Sequence, residues 1–135
     1  MTSVAEPGDA ASAGKRILVV EDEAMIRLLL ADMLEELGYT IAGEAGRIEE
    51  ALDAAKTRDF DLAILDVNLN GETVGPVAAV LDKRGVPFVF ATGYGLNDLP
   101  QGYRDRPALR KPFQMEELKA MMATALAAAR ARPSR

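Results

Sequence analysis

Short apolar runs recur along the chain, separated by longer stretches with a different hydrophobic spacing. The runs lie at residues 17–20, 40–43, 62–65, 86–91 and 108–110, and the second of them is the least apolar. Short, continuous apolar runs are typical of strands that are covered on both faces of a parallel sheet. The pattern therefore predicts five buried strands.

The stretches between these runs carry apolar residues at helical spacing. The clearest stripe has members at i, i+3, i+4, i+7, i+8 and i+11, namely Ile26, Leu29, Leu30, Met33, Leu34 and Leu37. Such spacing places apolar side chains on one face of a helix. Shorter stripes lie at residues 48–55 and 74–81, and a longer one lies at residues 115–126. Alternating strands and helices predict an α/β fold with a doubly wound, five-stranded parallel sheet.

The pattern is interrupted in three places. Residues 1–14 are small and polar, and we predict that they form a disordered tail. Residues 67–71 follow the third strand and are predicted to be a loop. Residues 94–107 contain two prolines and two glycines with little apolar periodicity, so the fourth helix is predicted to be weak or irregular. The remaining chain, residues 15–132, is predicted to be one domain without an output domain.

The amino-acid composition limits the kinds of functional site that the protein can have. The chain has no histidine and no cysteine, which excludes thiolate metal sites and histidine-based catalysis. Its net charge of −5 argues against nucleic acid or an anionic membrane as a partner. The sequence also lacks a signal peptide and a membrane-spanning apolar run, so we expect a cytoplasmic protein. Carboxylates, hydroxyls, lysine and arginine remain, and this set suits Mg²⁺ and phosphate.

Reactive side chains follow four of the predicted strands. Glu21 and Asp22 follow the first, Asp66 the third, Thr92 the fourth and Lys111 the last. The carboxyl ends of parallel strands meet at one edge of a sheet, where ligands bind. Clustered carboxylates repel one another unless a cation is present, and a hard divalent cation removes the repulsion. An aspartate can attack phosphorus to give an acyl phosphate, while lysine and threonine hold phosphoryl oxygens.

Short motifs around these residues resemble the signature of a known family. They are Val19-Val20-Glu21-Asp22-Glu23, Leu65-Asp66, Ala91-Thr92-Gly93 and Lys111-Pro112-Phe113. In this order they resemble the receiver domain of two-component response regulators, a flavodoxin-like fold. The resemblance covers about residues 15–130.

The resemblance implies a role for each site residue. Asp66 would be the phosphoacceptor, Lys111 would contact the phosphoryl group and Thr92 would sense it. Mg²⁺ would be bound by Glu21, Asp22, Asp66 and the backbone carbonyl of Asn68. The resemblance also implies a cis peptide bond between Lys111 and Pro112.

The stretch at residues 90–95 resembles a subgroup named for its Phe-Ala-Thr-Gly motif. That subgroup works with HWE-type histidine kinases and their relatives. In this chain the aromatic residue after the motif is Tyr94. Gly95 occupies the position at which the motif usually has a tyrosine. Ala108 stands where most receivers have the aromatic residue that moves with the threonine. Since that switch cannot operate with alanine, we hypothesise that residues 94–107 become ordered when Asp66 is phosphorylated.

The resemblance implies a single-domain response regulator rather than an enzyme. It would take a phosphoryl group from a histidine kinase, assist its own phosphorylation and dephosphorylation, and change its binding to a downstream partner. The sequence leaves open whether it is a relay, a phosphate sink or a kinase regulator. Two alternatives also remain: a pseudo-receiver that binds proteins without phosphorylation, and an aspartate-nucleophile phosphatase. Such phosphatases need a second aspartate where this chain has Asn68.

Overall fold

The computed structural model describes residues 14–93 and 98–131. The predicted tail, apart from Gly14, lies outside the described residues, as do Tyr94 and Gly95 of the motif.

A parallel sheet forms the centre of the described chain. Its strands are β1 (Arg16–Val20), β2 (Thr40–Ala45), β3 (Leu62–Asp66), β6 (Phe88–Thr92) and β7 (Ala108–Arg110). Their order in the sheet is β2-β1-β3-β6-β7, and every neighbouring pair is parallel. The predicted doubly wound sheet is therefore confirmed.

Helices cover both faces of this sheet. They are α1 (Ala24–Glu36), α2 (Ile48–Thr57), α3 (Gly75–Arg84) and α4 (Met115–Ala131). The first-turn proline of α3 has a preset helical φ, and the helix ends at Gly85, whose φ of 74° is left-handed. Each of these helices coincides with a stretch that the apolar spacing predicts to be helical.

The core has two halves because side chains alternate along the strands. Leu18 and Val20 of β1 pack with residues of α2 and α3, whereas Ile17 and Val19 pack with residues of α1 and α4. The apolar stripe of α1 is wider than its buried face, since Leu29 keeps 60% of its surface exposed. Burial on both sides explains why the strands are continuously apolar.

The prediction of a loop at residues 67–71 was wrong in part. A short antiparallel hairpin, β4 (Asn68–Leu69) and β5 (Glu72–Thr73), follows Val67. Its turn is Asn70-Gly71, with φ values of 53° and 88°. Asparagine and glycine are the residues that adopt this left-handed conformation at low cost, so the pair suits a tight hairpin turn.

Residues 98–107 contain turns and no α-helix in the part of the segment that the structure describes. Leu99 is buried, and Arg106 forms an ion pair with Asp82 of α3. The predicted irregular structure is confirmed for these residues. Across residues 14–93 and 98–131, none of the helices has both the length and the apolar character to cross a bilayer.

Candidate functional site

The strand topology brings the predicted site residues to one edge of the sheet. Glu21 directly follows β1, Asp66 ends β3, Thr92 ends β6, and Lys111 directly follows β7. Since β1, β3, β6 and β7 are consecutive parallel neighbours, all four residues lie at their shared carboxyl edge. Glu21 and Asp66 are buried at 2% and 8% exposure, and Thr92 is 2% exposed. Buried acids of this kind need charged partners.

Three carboxyl groups form an acidic cluster at this edge. One carboxylate oxygen from each of Glu21, Asp22 and Asp66 lies within 4.8 Å of the others. The Lys111 ammonium donates to Glu21 Oε1 at 2.7 Å, and its Nζ lies 3.4 Å from Asp66 Oδ1. One lysine cannot neutralise three ionised acids, so the cluster keeps an excess of negative charge.

Backbone amides support each carboxylate. The Asn70 N–H donates to Asp22 Oδ2 at 2.9 Å, and the Glu23 N–H donates to Glu21 Oε2 at 3.1 Å. The Asn68 N–H lies 3.5 Å from Asp66 Oδ1, at the limit of a hydrogen bond. These bonds orient the carboxylates without adding a full positive charge.

The surroundings shift the pKa values of the cluster. Burial raises the pKa of Asp66 to about 7, and Lys111 opposes this while Glu21 and Asp22 add to it. Burial also acts to raise the pKa of Asp22, but the Asn70 amide and hydrogen bonds within the cluster outweigh it, so this pKa is lowered. Burial acts to lower the pKa of Lys111, yet its bonds to Glu21 and Asp66 hold it above its usual value. An ionised Asp66 is therefore costly in the absence of a cation.

Thr92 ends β6, and Asn68 begins the short strand β4 two residues after Asp66. The Thr92 carbonyl accepts a hydrogen bond from the Lys111 N–H at 2.8 Å, which joins the ends of β6 and β7. The Asn68 side chain accepts from the Gly71 N–H at 2.8 Å and so belongs to the hairpin turn. The peptide bond between Lys111 and Pro112 is cis, as the resemblance implied.

Three residues that support the site were missed from the sequence. They are Asn70, which bonds Asp22, and Arg27 and Gly46, which contact each other beside the backbone of Glu21. The Asn70-Gly71 pair is a turn signal, and it could have suggested a tight turn next to Asp66. Nothing in the spacing of Arg27 or Gly46 indicates their contact.

The donor set of the acidic cluster fits a hard divalent cation. Mg²⁺ prefers oxygen ligands and is usually bound by one or two carboxylates, with water and phosphate oxygens completing its shell. Glu21, Asp22 and Asp66 are the residues able to hold it. Such an ion would neutralise the charge that Lys111 leaves unbalanced.

Comparisons with known proteins agree with this geometry. The response regulator receiver domain family matches residues 17–123. SdrG from Sphingomonas melonis Fr1 has a solution structure that is 45% identical, with a TM-score of 0.72, covering 87% of this chain and 98% of SdrG. A BeF3-activated conformation of SdrG, from Pseudomonas melonis Fr1, is 44% identical with a TM-score of 0.70, covering 84% of this chain and 98% of that one. The transcriptional regulatory protein PdtaR of Mycobacterium tuberculosis is 38% identical over 122 residues, which are 87% of this chain but 59% of PdtaR. This chain belongs to the response regulator receiver domain family.

Proposed function

We propose that this protein is a Mg²⁺-dependent phosphoacceptor that takes a phosphoryl group from a histidine kinase onto Asp66. The observation that carries the proposal is the position of Lys111 Nζ, 2.7 Å from Glu21 Oε1 and 3.4 Å from Asp66 Oδ1, beside three clustered acids. A lysine and a cation site at one aspartate supply the charge neutralisation that phosphoryl transfer requires.

In the proposed transfer, an oxygen of the Asp66 carboxylate attacks phosphorus. The new oxygen–phosphorus bond gives an acyl phosphate, and the bond between phosphorus and the donor breaks with its electron pair leaving on the donor. Lys111 would hold a phosphoryl oxygen, and Glu21, Asp22, Asp66 and the Asn68 carbonyl would hold Mg²⁺. When bound, Mg²⁺ supplies charge neutralisation at the phosphoryl oxygens. The protein is thus a phosphoacceptor that assists its own phosphorylation and dephosphorylation, rather than an enzyme.

The response to phosphorylation is proposed to involve Thr92 and the segment after it. Thr92 would sense the phosphoryl group, and the resemblance of the stretch at residues 90–95 to the Phe-Ala-Thr-Gly subgroup supports this proposal. Ala108, opposite Phe90 in the β6–β7 pair, is too small to act as a moving aromatic. We hypothesise that residues 94–107 order on phosphorylation; since residues 98–107 already have Leu99 buried and Arg106 paired with Asp82, phosphorylation would have to add to this order, and hydrogen exchange tests whether it does. Equal protection of this segment before and after phosphorylation would contradict it.

The proposed donor is a histidine kinase, of the HWE type or related to it. An apolar patch on α1, made of Met25, Leu28 and Leu29, is 80%, 58% and 60% exposed. Helix α1 begins two residues after Asp22, so these residues lie in the first turns of the helix that follows the first two acids of the cluster. Exposed apolar patches mark protein interaction surfaces, and this patch suits contact with a protein that brings the phosphoryl group to Asp66. The protein is proposed to act in the cytoplasm as a relay, a phosphate sink or a kinase regulator.

The test is intact mass after incubation with acetyl phosphate and Mg²⁺, beside Asp66→Asn. We expect one added phosphoryl group on the wild type, none without Mg²⁺ and none on Asp66→Asn. If no adduct forms, a titration with beryllofluoride, observed by NMR, separates two cases. Binding of this phosphoryl mimic indicates fast self-dephosphorylation, whereas no binding indicates a pseudo-receiver and overturns the proposal.

A further inference from the structure

Arg27 of α1 reaches back to the backbone from which the acidic cluster is built. Its Nη1 donates to the Glu21 carbonyl at 2.7 Å, and its Nε donates to the Glu44 carboxylate at 3.3 Å. The Glu21 N–H in turn donates to the Ala45 carbonyl at 2.9 Å. Both polar backbone groups of Glu21 are therefore fixed, one by β2 and the other by the guanidinium.

Gly46 provides the space in which this guanidinium lies. A Cβ atom placed on Gly46 would be 2.8 Å from Arg27 Nη1, closer than real contacts allow. The φ of Gly46 is outside the left-handed region, so its backbone does not require glycine. The reason for glycine here is steric, because any side chain would displace the guanidinium from the Glu21 carbonyl.

The carboxylates depend on the direction in which the chain leaves β1. The Glu21 carbonyl belongs to the peptide unit that leads to Asp22, so a bond to this oxygen fixes the plane from which Asp22 starts. The Asp22 carboxylate is then held by the Asn70 amide at 2.9 Å. Arg27 thus bonds the carbonyl of the peptide unit between Glu21 and Asp22, and Asn70 bonds the carboxylate of Asp22.

We infer that Arg27 is a positioning residue for the cation site, an inference that rests on the function proposed above. Glycine at position 46 leaves the space that the Arg27 guanidinium occupies. Arg27 would act at one remove from the cation, because its hydrogen bonds go to the Glu21 carbonyl and the Glu44 carboxylate. It fixes the peptide between Glu21 and Asp22, so that both carboxylates are presented to the cation without rearrangement. Residues that orient metal ligands typically contribute about 10–100-fold to metal affinity.

The experiment measures Mg²⁺ affinity by isothermal titration calorimetry for wild type, Arg27→Ala and Gly46→Ala. We expect the Kd to rise about tenfold in Arg27→Ala. Gly46→Ala tests the same contact without removing the arginine, since only the flexible end of Arg27 must move. It should therefore raise the Kd at least several-fold while leaving the Tm in chelator nearly unchanged, a pattern that a merely structural role would not produce.

Arg47→Ala is the matched control. Arg47 is adjacent to Gly46, its side chain is exposed, and its removal changes the net charge by the same amount as Arg27→Ala. We expect its Kd to stay within twofold of the wild type. An equal rise in Arg47→Ala and Arg27→Ala would reduce the effect to net charge and overturn the inference, as would unchanged affinity in both Arg27→Ala and Gly46→Ala.

The same samples separate this inference from the proposed function. Wild type that binds Mg²⁺ but takes neither acetyl phosphate nor beryllofluoride refutes the phosphoacceptor, while the affinities of the variants still decide the role of Arg27. Normal phosphorylation with unchanged affinities in the variants refutes only the role of Arg27. Wild type that does not bind Mg²⁺ refutes both.

Discussion

Asp66 is a carboxyl group held where its ionised form is disfavoured. It is 8% exposed, Glu21 and Asp22 lie beside it, and among the described residues Lys111 is the cation paired with it. Its raised pKa of about 7 compares with an ordinary value of 3.8. The unfolded carboxyl loses its proton near pH 4 and the folded one near pH 7, so the folded state binds more protons between these values. Stability contributed by Asp66 is therefore lost as the pH rises through this window.

When no divalent cation is present, Asp66→Asn should abolish the loss of stability that the wild type undergoes as the pH rises from about 4 to about 7. In chelator, wild type and variant should have similar free energies of unfolding near pH 4. At pH 8 the variant should be more stable, on the order of 2–4 kcal/mol, since one pKa unit corresponds to about 1.4 kcal/mol. Urea unfolding at pH 4.5, 6 and 8 measures the difference. The exposed Asp32→Asn is the control, and an advantage of Asp66→Asn that does not grow with pH would contradict the expectation.

Among the elements, residues 98–107, the described part of the segment before β7, are held by an aromatic and cationic cluster rather than by an α-helix. The Tyr103 ring packs edge-on against Phe88 and Phe90, with centroids 6.0 Å from each. The Arg106 guanidinium lies 5.1 Å from the Phe88 ring and 5.3 Å from the Tyr103 ring, and bonds both oxygens of Asp82. Tyr103 thus supplies an aromatic ring next to Phe90, whose strand partner is the small Ala108.

Arg106→Ala should loosen this segment. We expect the free energy of unfolding to fall by about 1–2 kcal/mol, because two cation–π contacts and a partly exposed ion pair are lost, each worth up to about 1 kcal/mol. The amides of Tyr103 and Arg106, which donate to the carbonyls of Pro100 and Tyr103, should exchange faster with deuterium. Arg104→Ala, an exposed arginine in the same segment, should leave both quantities unchanged. Equal exchange rates in wild type and Arg106→Ala would show that the cluster does not hold the segment.

The elements differ in how well the sequence predicts them. The strands and helices were predictable because apolar spacing follows burial directly, and four strand ends indicated Glu21, Asp66, Thr92 and Lys111. The hairpin after Asp66 was missed because its strands are too short to show a period. The contact between Arg27 and Gly46 was missed because it joins separate elements through a side chain whose direction no spacing encodes.

For the whole molecule, the unbalanced charge of the acidic cluster makes stability depend on Mg²⁺. A ligand that binds only the folded state adds about 2.7 kcal/mol at a concentration of 100 times its Kd. In a domain of this size that corresponds to a rise in Tm on the order of 10 °C. We expect this rise in wild type at pH 8 and a smaller one in Asp66→Asn, measured by calorimetry. Sodium chloride at matched ionic strength is the control, and an equal rise with sodium would indicate general screening instead of a bound ion.

The bond between Lys111 and Glu21 joins residues 90 positions apart. During synthesis, the acids of the site leave the ribosome long before the lysine that partners them. A nascent chain that ends before β7 has the carboxylates but lacks the ammonium group, so it cannot present the complete acceptor. If Asp66 is the phosphoacceptor proposed above, competence to be phosphorylated would arise only when the last strand docks, and unfinished chains would not take up phosphate.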